Sequence, residues 1–314
     1  MNDAGYMELA LNLALRGKGH TRPNPIVGAV AVKDGRVVGR GWHMRAGGDH
    51  AEVAAIKDAG EAARGSTLYV SLEPCSKPGR VGACTDAIAA AGIKEVVYAI
   101  DDPNPKNAGC AIGALARAGI PCRRLEGPKD LLERAARNIR DFRKLTLERI
   151  PYLTVKIAMS LDGRICDRSG DARWVSSERA RRETGHLREV VDAIIVGAET
   201  LRKDNPSLLS HGAANPDLIR VVVSRSGDLP KDARIFTDGM NETLVFDDAA
   251  TAMRELGRRG VMHVLCEGGY KLATSLAKGG FVDEWIAVLA PKVIGEGPIS
   301  EAIEIESVTC LQDW

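Results

Sequence analysis

His50-Ala51-Glu52 is followed along the chain by Glu73-Pro74-Cys75 and, nine residues after Cys75, by Cys84. One imidazole and two thiolates supply three ligands of a tetrahedral zinc and leave its fourth position open to a water. Glu52 stands two residues beyond the histidine, so it can face that water without binding the metal. Any fold open to this chain must bring these separated segments to one point.

The hydrophobic pattern says how. Met7 to Leu15 is apolar over a helical length, and Ile26 to Val32 reads as a buried strand. Asp34-Gly35 is a hairpin turn signal, with Val37 to Trp42 as the return strand. His50 to Ala63 has helical spacing, with Val53 and Ile56 along one side. His50 and Glu52 are therefore expected at a helix N-terminus, where backbone N–H groups are free. Thr67 to Ser71 is a third strand, and the cysteine loop follows it. A helix from Thr85 to Ala91 puts Cys84 at its positive end, which favours a thiolate. Strand signals at Glu95–Ile100 and Ile120–Leu125, with a helix at Gly109–Ala118 between them, argue a largely parallel sheet covered on both faces. Lys129 to Lys144 reads as one connecting helix, and Arg149-Ile150-Pro151 as a boundary.

A second alternation starts there. Strands are expected at Tyr152–Met159, Ala193–Val196, Leu218–Ser224, Thr243–Phe246, His263–Cys266 and Glu284–Leu289. Helices are expected at Glu178–Val190, Ala249–Arg258 and Tyr270–Ala277. A length of 314 residues suits two domains at about 150 residues each.

Composition excludes several classes. The net charge of +1 offers no basic stripe for nucleic acid, and 4% aromatics give few surfaces for base stacking. No stretch reaches the ~20 apolar residues of a membrane span. The start, Met1-Asn2-Asp3-Ala4-Gly5, lacks the basic and apolar regions of a signal peptide. Seven cysteines, an odd number scattered over the chain, do not form a disulfide framework, so a reducing cytoplasm is expected.

His-x-Glu followed by Pro-Cys and a second Cys resembles the zinc deaminases. In these a metal-activated water attacks an amino-bearing ring carbon and the Glu shuttles protons. Deaminases of nucleic acids and free nucleosides usually carry Pro-Cys-x-x-Cys. Here eight residues, Arg80 among them, separate Cys75 from Cys84. This longer insert resembles the pyrimidine deaminase of riboflavin biosynthesis, as do Pro23-Asn24-Pro25 with Val27-Gly28, Leu72 to Ser76, Cys84 to Ala87, and Asp101-Asp102-Pro103-Asn104-Pro105. The resemblance implies His50, Cys75 and Cys84 as zinc ligands and Glu52 as the proton shuttle. It places Asn24 and His43 at the pyrimidine, and Arg80 with Asp101 or Asn104 near a ribose phosphate. The chemistry agrees: an amide on a loop held by two prolines can bond a ring edge, and a guanidinium fork suits a phosphate. Lys77 stands where the family usually has His, and Ala111 where it has a second Gly.

The second half resembles the reductase partner in the same bifunctional deaminase/reductase family. The matching pieces are Lys156 to Gly163, Arg173 to Ser176, Asp192 to Thr200, Asp204 to Leu208, Glu267-Gly268-Gly269, Val282-Asp283-Glu284 and Pro291-Lys292. No Rossmann glycine fingerprint is present. Glu267-Gly268-Gly269 lies between a strand and a helix, where bare N–H groups can hold a cofactor phosphate. The resemblance places Ala158, Trp174, Thr200 and Asp204 at NADPH, and Arg188, Leu208 and Glu267 at the substrate. Ala172 replaces a frequent Ser, and His211 stands where Arg is usual, both at positions serving the sugar phosphate. A looser hold on that phosphate is expected.

The expected architecture is α/β throughout. Residues 1–146 form a cytidine-deaminase-like three-layer domain and residues 147–314 a shortened dihydrofolate-reductase-like domain. The function implied is riboflavin biosynthesis. Zinc-dependent deamination of 2,5-diamino-6-ribosylamino-4(3H)-pyrimidinone 5′-phosphate is followed by NADPH-dependent reduction of the ribose to a ribityl chain. The alternative is a deaminase alone, with the second domain a degenerate reductase serving assembly or binding. The expected partner is a small phosphorylated pyrimidine, not nucleic acid or membrane, and the expected assembly is a homo-oligomer.

Overall fold

The computed structural model describes residues 1–77, 82–168, 175–210, 215 and 217–295. The chain falls into two compact units, Met1–Glu148 and a second from Arg149 on.

The first unit opens with α1 (Asp3–Ala14), capped by Asn2, whose side chain accepts from Gly5 N at 3.1 Å. β1 (Gly28–Lys33) and β2 (Arg36–Trp42) form the hairpin. It turns at Asp34 and Gly35 with φ of 50° and 72°, the left-handed pair that a tight two-residue turn requires. Then come α2 (Ala51–Ala59), β3 (Thr67–Val70), α3 (Cys84–Ala91), β4 (Glu95–Tyr98), α4 (Cys110–Arg117) and β5 (Cys122–Arg124). The sheet order is β2-β1-β3-β4-β5. β1 runs antiparallel to β2 and β3, while β3, β4 and β5 are mutually parallel. The sheet is thus mixed rather than largely parallel, because a tight hairpin joins only antiparallel strands.

Side-chain alternation along β1 builds three layers. Val30 and Val32 face Tyr6, Met7 and Leu11, in a cluster with Leu131 and Ala135. Ala29 and Ala31 face the other way, into a cluster with Ala51, Ala55, Ile88 and Leu115. The small residues on that face let α2 lie close. A Cβ built on Gly41 would stand 2.3 Å from Ala51 O and 2.3 Å from Ala55 N, so only glycine fits where α2 crosses β2. The expected single helix after Lys129 is two, α5 (Lys129–Asn138) and α6 (Arg140–Glu148). The break falls at Ile139, whose φ of −116° leaves the helical region and whose side chain packs into the first cluster.

The second unit holds β6 (Tyr152–Ser160), α7 (Glu178–Gly185), β7 (Ala193–Gly197), α8 (Ala198–Asp204), β8 (Ile219–Val223), α9 (Arg234–Thr237), β9 (Thr243–Phe246), α10 (Ala249–Arg258), β10 (His263–Cys266), α11 (Tyr270–Lys278) and β11 (Glu284–Ala290). Every pairing among the described strands is parallel, in the order β11-β6-β10-β7-β8-β9. α10 and α11 bury Met253, Leu256, Leu272 and Leu276 against one face. Leu201, Leu208 and Ile235 cover the other, against Ile194, Val196 and Val222. α8 and α9 carry no strong apolar period, being short, and sequence patterning does not reveal them.

Candidate metal centre and cofactor cavity

α2 begins at Ala51 with His50 as its N-cap, and α3 begins at Cys84. Two helix N-termini therefore converge beside the chain that leaves β3 and carries Cys75. His50 Nδ1 lies 3.1 Å from Cys84 Sγ and 3.6 Å from Cys75 Sγ, and the two sulfurs are 3.2 Å apart. All three ligand atoms lie within 4.8 Å of one another. Zinc bonds of about 2.0–2.3 Å in a tetrahedron place ligand atoms within about 4 Å of each other, so this set fits the ion.

The electrostatics agree. The hydrogen bond with Cys84, and then His50, hold the Cys75 thiol well below the usual thiol range. The same bond and burial push Cys84 well above it. Two thiols and an imidazole gathered this closely would give up protons on binding a divalent cation there. Glu52 is 3% exposed and in hydrogen-bonding contact with Cys84. Burial raises its carboxyl above the ordinary range, as suits a group that alternates between acid and base.

Around this centre, Asn24 Nδ2 is 3.1 Å from His43 Nε2, and the His43 and His50 rings meet edge to face. Thr21 Oγ1 donates to Asn24 O at 2.8 Å and fixes the loop. Asp101 is exposed and held by Tyr98 and Arg124, while Asn104 Oδ1 accepts from Lys106 N within its own loop. Arg80 lies outside the described residues. Lys77 reaches the same loop, donating to Lys106 O at 2.6 Å.

Two residues beyond those singled out organise this region. Glu73 is buried and accepts from Asp102 N, Gly109 N and Ala111 N at 3.2, 2.9 and 3.0 Å. Ala111 lies in the first turn of α4, where a Cβ is tolerated. Asn107 Oδ1 accepts from Ser76 N at 3.2 Å, and its Nδ2 donates to Asp102 Oδ2 at 2.7 Å. Glu73 is flagged by its place before Pro74-Cys75. Nothing local marks Asn107.

In the second unit, a cavity of about 930 Å³ opens at the C-terminal ends of the parallel strands. That is where open α/β sheets hold ligands. Ala158, Thr200, Asp204, Glu267, Gly268 and Gly269 all line it. α8 and α11 start at its wall from Gly197 and Gly269, so two helix N-termini offer N–H groups suited to a dinucleotide's phosphates. The cavity thus fits NADPH in size and polarity. Arg188 forms a two-pronged ion pair with Glu267, at 2.7 and 2.8 Å, and donates to Leu209 O at 2.9 Å. Leu208 turns its side chain into the core and is buried. Ala172, Trp174 and His211 lie outside the described residues. Among those described, no helix is long and apolar enough to cross a membrane.

Known proteins match both units. Residues 1–100 match the cytidine and deoxycytidylate deaminase zinc-binding region, and residues 151–309 the RibD C-terminal domain. The riboflavin biosynthesis protein RibD of Aquifex aeolicus is 38% identical over 94% of this chain and 88% of its own length. The Escherichia coli protein of that name is 35% identical over 94% and 89%. A diaminohydroxyphosphoribosylaminopyrimidine deaminase/5-amino-6-(5-phosphoribosylamino)uracil reductase from Thermotoga maritima superposes with a TM-score of 0.87 at 32% identity, covering 98% of this chain and 93% of that one. The chain belongs to the RibD family of riboflavin biosynthesis, enzymes that join a zinc-dependent pyrimidine deaminase to an NADPH-dependent reductase.

Proposed function

We propose that His50, Cys75 and Cys84 hold the zinc, that Glu52 moves the proton, and that residues 1–146 and 147–314 carry the two successive steps. The observation behind this reading is the convergence of three N and S ligand atoms beside the buried Glu52. Zinc, when bound, supplies an activated water to the ring carbon bearing the amino group. Asn24 and His43 orient the pyrimidine edge. Glu52 takes a proton from the attacking water and delivers it to the departing nitrogen. The oxygen adds, the carbon–nitrogen bond breaks, and ammonia leaves.

In the second step NADPH, when bound, supplies the hydride that converts the ribose to a ribityl chain. Ala158, Thr200, Asp204, Gly268 and Gly269 form its wall, and Trp174 is assigned to it by the family resemblance. Arg188 and Glu267 hold the substrate, and His211 is assigned to it by the family resemblance. The near-zero net charge and the cysteine pattern support a cytoplasmic enzyme acting on a small phosphorylated pyrimidine rather than on nucleic acid. We assign it a homo-oligomeric state, to be read from sedimentation. The decisive experiment incubates the protein with the diaminopyrimidine ribosyl phosphate, with and without NADPH, and identifies products by mass. The deaminated product should form without NADPH and the ribityl product only with it. Deamination without any NADPH oxidation would leave a deaminase alone.

A further inference from the structure

We infer that Arg220 is a positioning residue for the reductase step: through the Ser207 carbonyl it fixes the left-handed turn at Leu208 that seats Arg188 against Glu267. This rests on the reading that Arg188 and Glu267 face the substrate.

Arg220 lies on β8 and is 1% exposed. Its Nη1 donates to Ser207 O at 3.2 Å and to Asp238 Oδ2 at 2.5 Å. Its Nη2 donates to Asp238 Oδ1, Ile235 O and Asn241 O at 3.0, 2.9 and 2.6 Å. Its Nε is buried with no partner among the described residues. A buried ion pair is a weak source of stability, and an orphaned donor weakens it further. What the residue does provide is geometry. One guanidinium gathers three carbonyls from three separate segments.

The segment it holds is strained. Leu208 has φ of +56° and Asn205 φ of +39°, a region that bulky side chains enter only when the surroundings enforce it. The enforcement is visible. Arg234 N donates to Asn205 Oδ1 at 2.9 Å, Arg220 holds Ser207 O, and the Leu208 side chain is locked in the core. The turn at Leu208 then aims Leu209 O at Arg188 Nη1. Arg188 is gripped from two sides, by Leu209 O and by the Glu267 carboxylate that lines the cofactor cavity. If Ser207 is released, the turn can relax and Leu209 O leaves Arg188.

The test compares wild type, Arg220→Lys, Asp238→Asn, Arg188→Lys and the Arg188→Lys/Arg220→Lys double variant. Two quantities are read. One is reductase KM and kcat per folded enzyme. The other is the Kd of the reduced ribityl product in its dead-end complex with NADPH, followed by cofactor fluorescence. Arg220→Lys should raise KM and Kd about tenfold, with kcat within about twofold and NADPH affinity unchanged. The double variant should be no worse than Arg188→Lys alone, because both act by one route. Asp238→Asn keeps the side-chain shape and carries the same test if Arg220→Lys does not fold; a rise of about threefold is expected. A lower folded fraction with unchanged KM and Kd, or additive effects in the double variant, overturns the role. Wild-type protein that binds no NADPH overturns the reductase reading itself.

Discussion

His43 stands between Asn24 and Asp49, with Nε2 3.1 Å from Asn24 Nδ2 and Nδ1 2.9 Å from the Asp49 carbonyl oxygen. A carbonyl only accepts, so the ring proton sits on Nδ1, and Nε2 accepts from the Asn24 amide. Asn24 Oδ1 is thereby turned out as an acceptor, which suits a ring N–H or amino group. The orientation of one amide is set by a backbone oxygen two hydrogen bonds away.

Replacing that amide tests the arrangement. Asn24→Asp has no donor for His43 Nε2. Deaminase KM should rise about five- to hundredfold, matching about 1–3 kcal/mol for a buried acceptor left without its donor. Zinc content should not change. Steady-state kinetics with elemental analysis decides it, and an unaltered KM would place the pyrimidine elsewhere.

Glu52→Gln preserves the shape of the buried side chain and removes its proton-carrying function. Zinc should remain near one per chain while deamination falls about 10²–10⁴-fold. Cys75→Ser is the counterpart, and it should lose zinc. Full zinc retention by Cys75→Ser would remove Cys75 from the ligand set.

Glu73→Gln attacks the scaffold of the same site. Both carboxylate oxygens accept backbone N–H groups, so an amide in either orientation sets a donor against a donor. We expect a loss of about 1–3 kcal/mol in the first unit, read as a lower urea midpoint at full zinc occupancy. An unmoved midpoint would mean that the loop from Asp102 to Gly109 is held by other contacts.

Acid should act on the second unit through Asp238. The hydrogen bond from Arg220 holds its carboxyl below the ordinary range. The unfolded value is about 3.9, so the folded value is the lower of the two. The stabilisation is therefore complete above about pH 4 and is lost as pH falls through the folded value. The difference in thermal midpoint between wild type and Asp238→Asn should be constant from about pH 7 to 5 and shrink below about pH 4. A gap that persists undiminished at about pH 3 would argue that the pair contributes no linkage.

The cluster of His50, Cys75 and Cys84 was legible because its chemistry is local: a motif, a helix start and a strand end. The strands were legible for the same reason, since Ile194–Val196 and Val264–Cys266 are short apolar runs between polar breaks. The helix break at Ile139 was hidden because the charged residues on either side keep helical spacing. Asn107 and Arg220 were hidden because their importance lies in what they join. Asn107 links Ser76 to Asp102, and Arg220 links β8 to Ser207 and Asp238, and no local sequence pattern records such pairings.

The contact at Gly41 bears on how this enzyme tolerates change. Position 41 has no functional group, yet its lack of a side chain sets how closely α2 lies on the sheet. His50 and Glu52 are carried at the start of that same helix. A Cβ at position 41 would have to push that helix start away from the sheet, carrying His50 and Glu52 with it. A change to alanine in the hairpin, which alters no polar group, would therefore reach the site through the backbone of α2 alone.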